Sequence, residues 1–102
     1  MAGSIILKDH IEYSTGSVVS KTLKQNPAGS ITLFAFDAGQ GLSEHSAPFD
    51  AVVQVIDGEG HFIIGGDEHV LKEGELIIMP ANVPHAVNAR KKFKMMLIML
   101  KA

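Results

Sequence analysis

The chain has 102 residues, of which 46% are hydrophobic and 20% are charged, and its formal net charge is -2. These values indicate one globular domain, residues 1–102, and exclude a strongly basic nucleic-acid-binding protein. The sequence has no cysteine, which excludes disulfides and thiolate metal sites and is typical of a cytoplasmic protein. Its apolar runs are far shorter than the roughly 20 residues that span a bilayer, so we predict no membrane segment.

Short runs rich in β-branched and aromatic residues alternate with turns built from glycine, proline and acidic residues. Residues 5–13, ahead of the first run, suit one short helical turn, and no long helical pattern follows. In chain order, the predicted strands are 17–23, 30–36, 51–56, 61–64, 68–71, 76–79, 85–89 and 93–100. Regular short strands with turn signals between them indicate an all-β sandwich or barrel.

The last predicted strand, residues 93–100, is apolar at both odd and even positions. A strand of this kind is covered on both faces, and only one face belongs to the core of a single barrel. We therefore predict a homodimer in which the other face meets a second subunit. The first strand, residues 17–23, is expected to pair across the same interface.

Two stretches each place a histidine near a strand end, with glycine turns setting the spacing. In the first stretch, five residues separate Gly39 from His45, and Gly58 closes the motif. In the second stretch, ten residues separate Gly74 from His85. This arrangement resembles the paired motifs of the cupin superfamily. The resemblance implies an all-β, cupin-type double-stranded β-helix, or jelly-roll barrel, and it agrees with the predicted homodimer.

The resemblance also implies a central metal held by both motif histidines, a further histidine and a glutamate. In this chain, Ala47 and Ala51 occupy those last two positions, and Asn82 replaces a glycine of the second motif. A divalent transition metal such as Fe, Mn, Ni, Zn or Cu needs several nitrogen or oxygen ligands. His45 and His85 are therefore candidate metal ligands with half of the usual set missing.

A reduced metal site would need ligands from elsewhere in the chain. Asp50 and Glu44 are the nearby carboxylates that could turn inward. Gln54 is a weaker candidate, because it lies on the wrong face of its strand unless a bulge shifts the register. Water or substrate would otherwise complete the coordination sphere.

The two alanines also predict an enlarged and drier cavity. Such a cavity suits an apolar or aromatic small molecule, with the two motif histidines as its polar contacts. On the barrel pattern, Ala51, Val53 and Val55 share the inward face of their strand. The predicted ligand-binding residues are His45, His85, Ala47, Ala51, Phe36 and Met79. Further candidate walls are Phe34, Phe49, Met95 and Met96.

The remaining histidines and one basic run receive no site role. We expect His61 and His69 to face solvent or the partner subunit, and His10 to be structural. Residues 90–94 are basic, but with a net charge of -2 we interpret them as a solvated turn rather than a nucleic-acid patch.

Three functions stay open: the two retained histidines argue against the third of them, and the missing ligands argue against a standard metal-dependent dioxygenase. The first is small-molecule binding at a barrel whose metal site is degenerate. The second is an enzyme, either a metal-dependent dioxygenase or isomerase with a reduced ligand set, or a metal-free one that uses the histidines as acid and base. The third is a structural or regulatory domain with a vestigial cavity. The barrel fold alone does not choose among them.

Overall fold

The computed structural model describes residues 3–101, which form nine strands and one turn of 3-10 helix. The helix is Leu7–Asp9, and the strands are β1 (Val18–Asn26), β2 (Gly29–Phe36), β3 (Gly41–His45), β4 (Asp50–Asp57), β5 (Glu59–Ile64), β6 (Asp67–Lys72), β7 (Leu76–Met79), β8 (His85–Asn88) and β9 (Phe93–Leu100). Within this described part, no helix is long and apolar enough to cross a membrane.

Two antiparallel sheets face each other across the core. The larger sheet has the strand order β1-β2-β9-β4-β7, and the smaller has the order β3-β8-β5-β6. Apart from the β1–β2 and β5–β6 hairpins, strands that are adjacent in a sheet are distant in the chain, as in a jelly roll, because the chain crosses repeatedly from one sheet to the other. The predicted all-β, jelly-roll class is confirmed.

Strands β7 and β9 have the predicted limits, and most others differ by one or two residues. Strand β1 is longer than predicted, because its pairing with β2 continues to Asn26 and Gly29. Strand β3 was not predicted, and the expected number of eight strands was wrong. In β3 only Leu42 is partly buried, so the segment lacks an alternating pattern, and pairing with β8 makes it a strand.

The main core lies between the two sheets. Ala51, Val53 and Val55 are each at most 2% exposed, so the predicted inward face of β4 is confirmed. Phe36 stacks on Phe93, with 4.8 Å between ring centroids, and Phe34 packs against the same cluster. The two phenylalanines of β2 therefore share the inward face, as their spacing predicts.

A second, smaller cluster covers part of the outer face of the five-stranded sheet. Ile11, in the segment before β1, is buried against Leu33, Ala35 and Ile56. The hydroxyl of Tyr13 donates a hydrogen bond of 2.7 Å to Asp57, which fastens the same segment to β4. The N-terminal segment therefore closes one half of this outer face and leaves the other half uncovered.

Glycine is required where β4 turns into β5. Gly58 has a φ of 74°, and a Cβ there would lie 2.7 Å from the carbonyl oxygen of Lys92. A side chain is disfavoured both by the left-handed backbone and by this close approach. The motif glycine thus fixes the connection between the two sheets.

The predicted exposure of His61 was wrong. This side chain is only 7% exposed, its Nε2 lies 3.5 Å from a carboxylate oxygen of Glu59, and its Nδ1 is buried without a partner among the described residues. His61 lies on β5, which has a neighbouring strand on both sides. His69 lies on the edge strand β6 and is exposed, as predicted.

Candidate functional site

The two motif histidines meet at one end of the four-stranded sheet. His45 ends β3 and His85 begins β8, and the two residues are register partners in the β3–β8 ladder. Their Nε2 atoms are 3.2 Å apart, and the rings meet edge to face with 4.4 Å between centroids. A strand pair therefore brings together side chains that are 40 positions apart in the sequence.

Backbone carbonyls orient both imidazole rings. Nδ1 of His45 lies 2.8 Å from the carbonyl oxygen of Ser43, and Nδ1 of His85 lies 3.3 Å from the carbonyl oxygen of Val83. In each case the acceptor is two residues earlier in the chain. Because a carbonyl oxygen only accepts, these contacts favour a hydrogen on Nδ1 and direct the lone pair of each Nε2 toward the other ring.

The loop before β8 is held against the segment that follows His45. A carboxylate oxygen of Asp50 accepts the backbone N–H of Ala81 at 2.8 Å, and the N–H of Asn82 donates to the carbonyl of Ala47 at 2.7 Å. These two bonds connect the parts of the chain that carry His45 and His85. Asp50 is thus engaged with the backbone rather than turned into the cavity.

Asn82 has a φ of 65°, which is the left-handed region. Asparagine tolerates this conformation better than other non-glycine residues, because its short side chain bonds locally. This explains why the chain accepts asparagine where the family motif has glycine. The loop conformation is kept although the residue differs.

The two histidines differ in their exposure to solvent. His85 is 7% exposed, whereas His45 is an exposed residue at the mouth of the cavity. Burial lowers the pKa of His85 below its usual value; the carbonyl of Val83 opposes this effect, and the neighbouring His45 adds to it. His85 is therefore neutral at pH 7.

A cavity with a volume of about 90 Å³ lies beside the histidine pair, between the two sheets. Its walls are apolar apart from the two imidazoles. The residues that line it are Leu42, His45, Ala47, Ala51, Met79, His85, Val87, Met95, Leu97 and Met99. An apolar cavity of about 150 Å³ holds benzene, so this smaller space takes only a few nonhydrogen atoms of a ligand, and the exposed mouth beside His45 leaves room for the rest.

Five of the predicted site residues meet at this cavity, and two do not. His45, His85, Ala47, Ala51 and Met79 line it. Phe36 is fully buried deeper in the core, where it packs on Phe93 rather than on the cavity. Gln54 is on the outward face of β4, and its amide lies 3.4 Å from the carbonyl of Gly74.

Four lining residues were missed from the sequence. Leu42 and Val87 lie on the β3–β8 pair, and Leu97 and Met99 lie on β9. Alternate residues of a strand share a face, and Met95, which was predicted to line the cavity, has the same parity as Leu97 and Met99. This alternation could therefore have identified the two β9 residues from the sequence. Met96 has the opposite parity and packs in the outer cluster, so its assignment to the cavity wall was wrong.

The donor set accounts for only part of a metal site. Two nitrogens 3.2 Å apart suit adjacent ligands of a metal that binds each at about 2.0–2.2 Å. Methyl groups of Ala47 and Ala51 occupy the neighbouring wall. Among residues 3–101, no group of three or more His, Cys, Asp or Glu side chains is placed to hold a metal. The side chains of the described chain therefore do not make a complete metal site.

Sequence and structure comparisons agree on the family of this fold and site. The cupin domain family matches residues 32–101. A conserved protein of unknown function from Streptococcus pyogenes is 33% identical, with a TM-score of 0.94 over 100% of this chain and 90% of its own. A cupin superfamily protein from Desulfitobacterium hafniense is 26% identical, with a TM-score of 0.93 over 100% of this chain and 94% of its own.

A conserved barrel domain protein of the cupin 2 type from Leptotrichia buccalis is 43% identical, with a TM-score of 0.90. The match covers 93% of this chain but 46% of the Leptotrichia protein, so the chain spans about half of that relative. None of the proteins with curated functions matches the sequence. The family match over residues 32–101 and the barrel with its paired histidine motifs establish that the chain belongs to the cupin superfamily.

Proposed function

We propose that this protein binds a small, largely apolar molecule in its barrel cavity, with His45 and His85 as the polar contacts. The observation that carries the proposal is the convergence of two Nε2 atoms, 3.2 Å apart, at the edge of an otherwise apolar cavity. Ligand sites commonly combine apolar walls with a few polar groups that fix orientation. An apolar core without a ligand would gain nothing from two adjacent imidazoles.

The alanines in the cavity wall support binding over metal chemistry. Ala47 and Ala51 stand where the family resemblance implies a histidine and a glutamate, and both line the cavity. Methyl groups in these places remove polar surface and leave space for apolar ligand atoms. Each ligand methylene buried there would contribute about 0.8 kcal/mol to binding.

The entrance of the cavity also fits this role. His45 is exposed whereas His85 and the walls formed by Ala51, Met79 and Met95 are buried. A ligand would therefore enter past His45 and reach His85 at the inner side. Binding would exclude water from the imidazole pair and strengthen its hydrogen bonds.

The test is a screen of small aromatic and aliphatic compounds against isotope-labelled protein by NMR. We expect His45→Ala and His85→Ala to keep a folded spectrum and to weaken binding of any hit by about tenfold or more, since each removes a polar contact. His69→Ala is the matched control, because His69 is an exposed histidine on β6, outside the cavity lining. Full binding by both cavity variants would contradict the proposal.

A metal-dependent enzyme with a reduced ligand set is the second candidate, and the paired Nε2 atoms are the observation that favours it. In that case His45 and His85 would hold the metal, water or substrate would complete the coordination sphere, and the metal would supply Lewis acidity. Elemental analysis after incubation with Fe(II), Mn(II), Ni(II), Zn(II) and Cu(II) separates the candidates. Near-stoichiometric metal that is lost in both His→Ala variants would favour the enzyme.

A further inference from the structure

The cavity beside the histidine pair is closed at its inner end. Along β9, the lining residues Met99 and Leu97 are partly buried, whereas Met95, nearest the start of the strand, is 1% exposed. Phe93, the next residue on the same face of β9, is fully buried behind Met95. Met95 therefore forms the inner wall of the cavity.

An aromatic layer lies behind that wall. The ring of Phe93 stacks on Phe36 with 4.8 Å between centroids, and Phe62 meets Phe93 edge to face at 6.0 Å. All three side chains are fully buried in the same core cluster as Met95. A core that is packed in this way yields to extra atoms only at a substantial cost, so a ligand cannot lengthen the cavity in this direction.

The volume of the cavity limits what enters it. An apolar cavity of about 150 Å³ holds a benzene molecule, whereas this cavity has a volume of about 90 Å³. In proportion, it holds about four nonhydrogen atoms. An aromatic ring is thus too large to enter whole, and a short aliphatic chain fits.

From the closed end and the small volume we infer that this cavity selects molecules with a short aliphatic chain of about four carbon atoms, and that Met95 sets this limit. The chain enters the cavity, and the polar end of the molecule stays beside His45 and His85. This inference rests on the proposed function and names the ligand class for that site. It holds for either arrangement of the imidazole hydrogens, because a ligand hydroxyl both donates and accepts.

A cavity that adapts to larger ligands is the competing expectation, because the unbranched side chain of methionine changes shape easily. Met79, Met95 and Met99 all line the cavity. Met95 is nevertheless held between two neighbouring strands, where it is in register with Phe34 and Val55. Its burial in this position favours a fixed wall over an adaptable one.

The test measures dissociation constants of straight-chain primary alcohols, from ethanol to hexanol, by NMR titration of the full chain near pH 7. We expect the affinity to rise about fourfold with each methylene up to butanol, since each methylene buries more apolar surface. Pentanol and hexanol should bind no more tightly than butanol. Benzyl alcohol, whose ring is too large for the cavity, should bind several-fold more weakly than butanol.

Substitutions at two lining residues should move the limit in opposite directions. Met95→Ala shortens the inner wall, so the fourfold rise should continue through pentanol and hexanol. Ala47→Val adds bulk at a partly buried lining position, so the rise should stop before butanol. Met96→Ala is the matched control and should keep the limit at butanol, because Met96 packs in the outer cluster on the opposite face of β9.

The outcomes separate this inference from the proposed function. An affinity that keeps rising through hexanol in the parent protein, or benzyl alcohol that binds as tightly as butanol, would overturn the inference and leave small-molecule binding intact. A limit that stays at butanol in both Met95→Ala and Ala47→Val would also overturn it. Binding of none of these alcohols, with a fragment screen that also finds no cavity ligand, would overturn both.

Discussion

Asn82 stands where the cupin motif has a glycine, and its backbone conformation is one that glycine adopts easily. Its φ of 65° is reached at low cost by glycine and with some strain by residues that carry a Cβ. The side chain is exposed, so packing does not decide which residue is accepted there. The amide N–H of Asn82 matters more than its side chain, because it binds the carbonyl of Ala47 beside the cavity.

Substitution of Asn82 should therefore affect stability through the backbone. We expect Asn82→Ala to lower the free energy of unfolding by about 1 kcal/mol, since alanine has a left-handed penalty of roughly that size. Asn82→Gly should leave stability within about 0.5 kcal/mol, because the lower backbone strain offsets the greater freedom of the unfolded chain. Urea denaturation of the three proteins measures this. Equal stability of the alanine and glycine variants would argue against backbone strain at this position.

At the scale of elements, the site depends on how the loop of residues 80–84 is attached. This loop leads from β7 to β8 and so sets where His85 begins its strand. The carboxylate of Asp50, at the start of β4, binds the loop through the N–H of Ala81. Asp50 is thus a positioning residue for His85, although the sequence suggested it as a spare metal ligand.

The role of Asp50 predicts different effects for two substitutions. Asp50→Asn keeps a side-chain oxygen that accepts from Ala81, so ligand affinity and the imidazole NMR signals of His85 should change little. Asp50→Ala removes the acceptor, and we expect several-fold weaker binding with shifted His85 signals, because the loop loses its anchor. NMR titration with a compound found in the small-molecule screen measures both quantities. An alanine variant with unchanged affinity and unchanged His85 signals would show that the loop is held by other contacts.

At the scale of the whole molecule, the outer face of the five-stranded sheet is only half covered. The N-terminal segment packs over Leu33, Ala35 and Ile56. Beyond it, register pairing forms one apolar row across four strands. The row consists of Ile31, Ile98, Val52 and Ile78. Ile78 is 55% exposed, and Leu100, two residues along β9 from Ile98, is 50% exposed. Apolar rows of this extent are typical of protein contacts.

The homodimer and the cytoplasmic location stay predictions. The uncovered row is the surface that we expect a second copy of the chain to bury, because it includes the outward face of β9 that was predicted to meet a partner. Ile98→Glu or Ile78→Glu should then shift the protein from dimer to monomer in sedimentation experiments, since each places a charge in the interface. Val70→Glu is the matched control, because Val70 is 45% exposed on β6 of the other sheet. A monomeric parent protein, or dimers that persist in both test variants, would contradict the prediction.

The sequence by itself determined much of the barrel. Alternation of side chains sets which residues of a strand share a face, so the inward position of Ala51, Val53 and Val55 followed from local pattern. The glycine and proline residues between predicted strands located most turns to within one or two residues. Motif spacing singled out His45 and His85 among the five histidines, because turn residues hold them at fixed distances from strand ends.

Tertiary structure decided what local pattern could not. Strand β3 is polar and exposed, so only its pairing with β8 makes it a strand and brings His45 to 3.2 Å from His85. Phe36 has the correct parity for the cavity but lies too deep, because position along the barrel depends on how all strands are staggered. His61 and His69 lie on the paired strands β5 and β6, yet the first is buried and the second is exposed, a difference that the local pattern does not show. Which face of a strand a side chain occupies is a local property of the sequence. How deep the side chain lies in the core, and which side chain it contacts, are decided only when distant strands pack together.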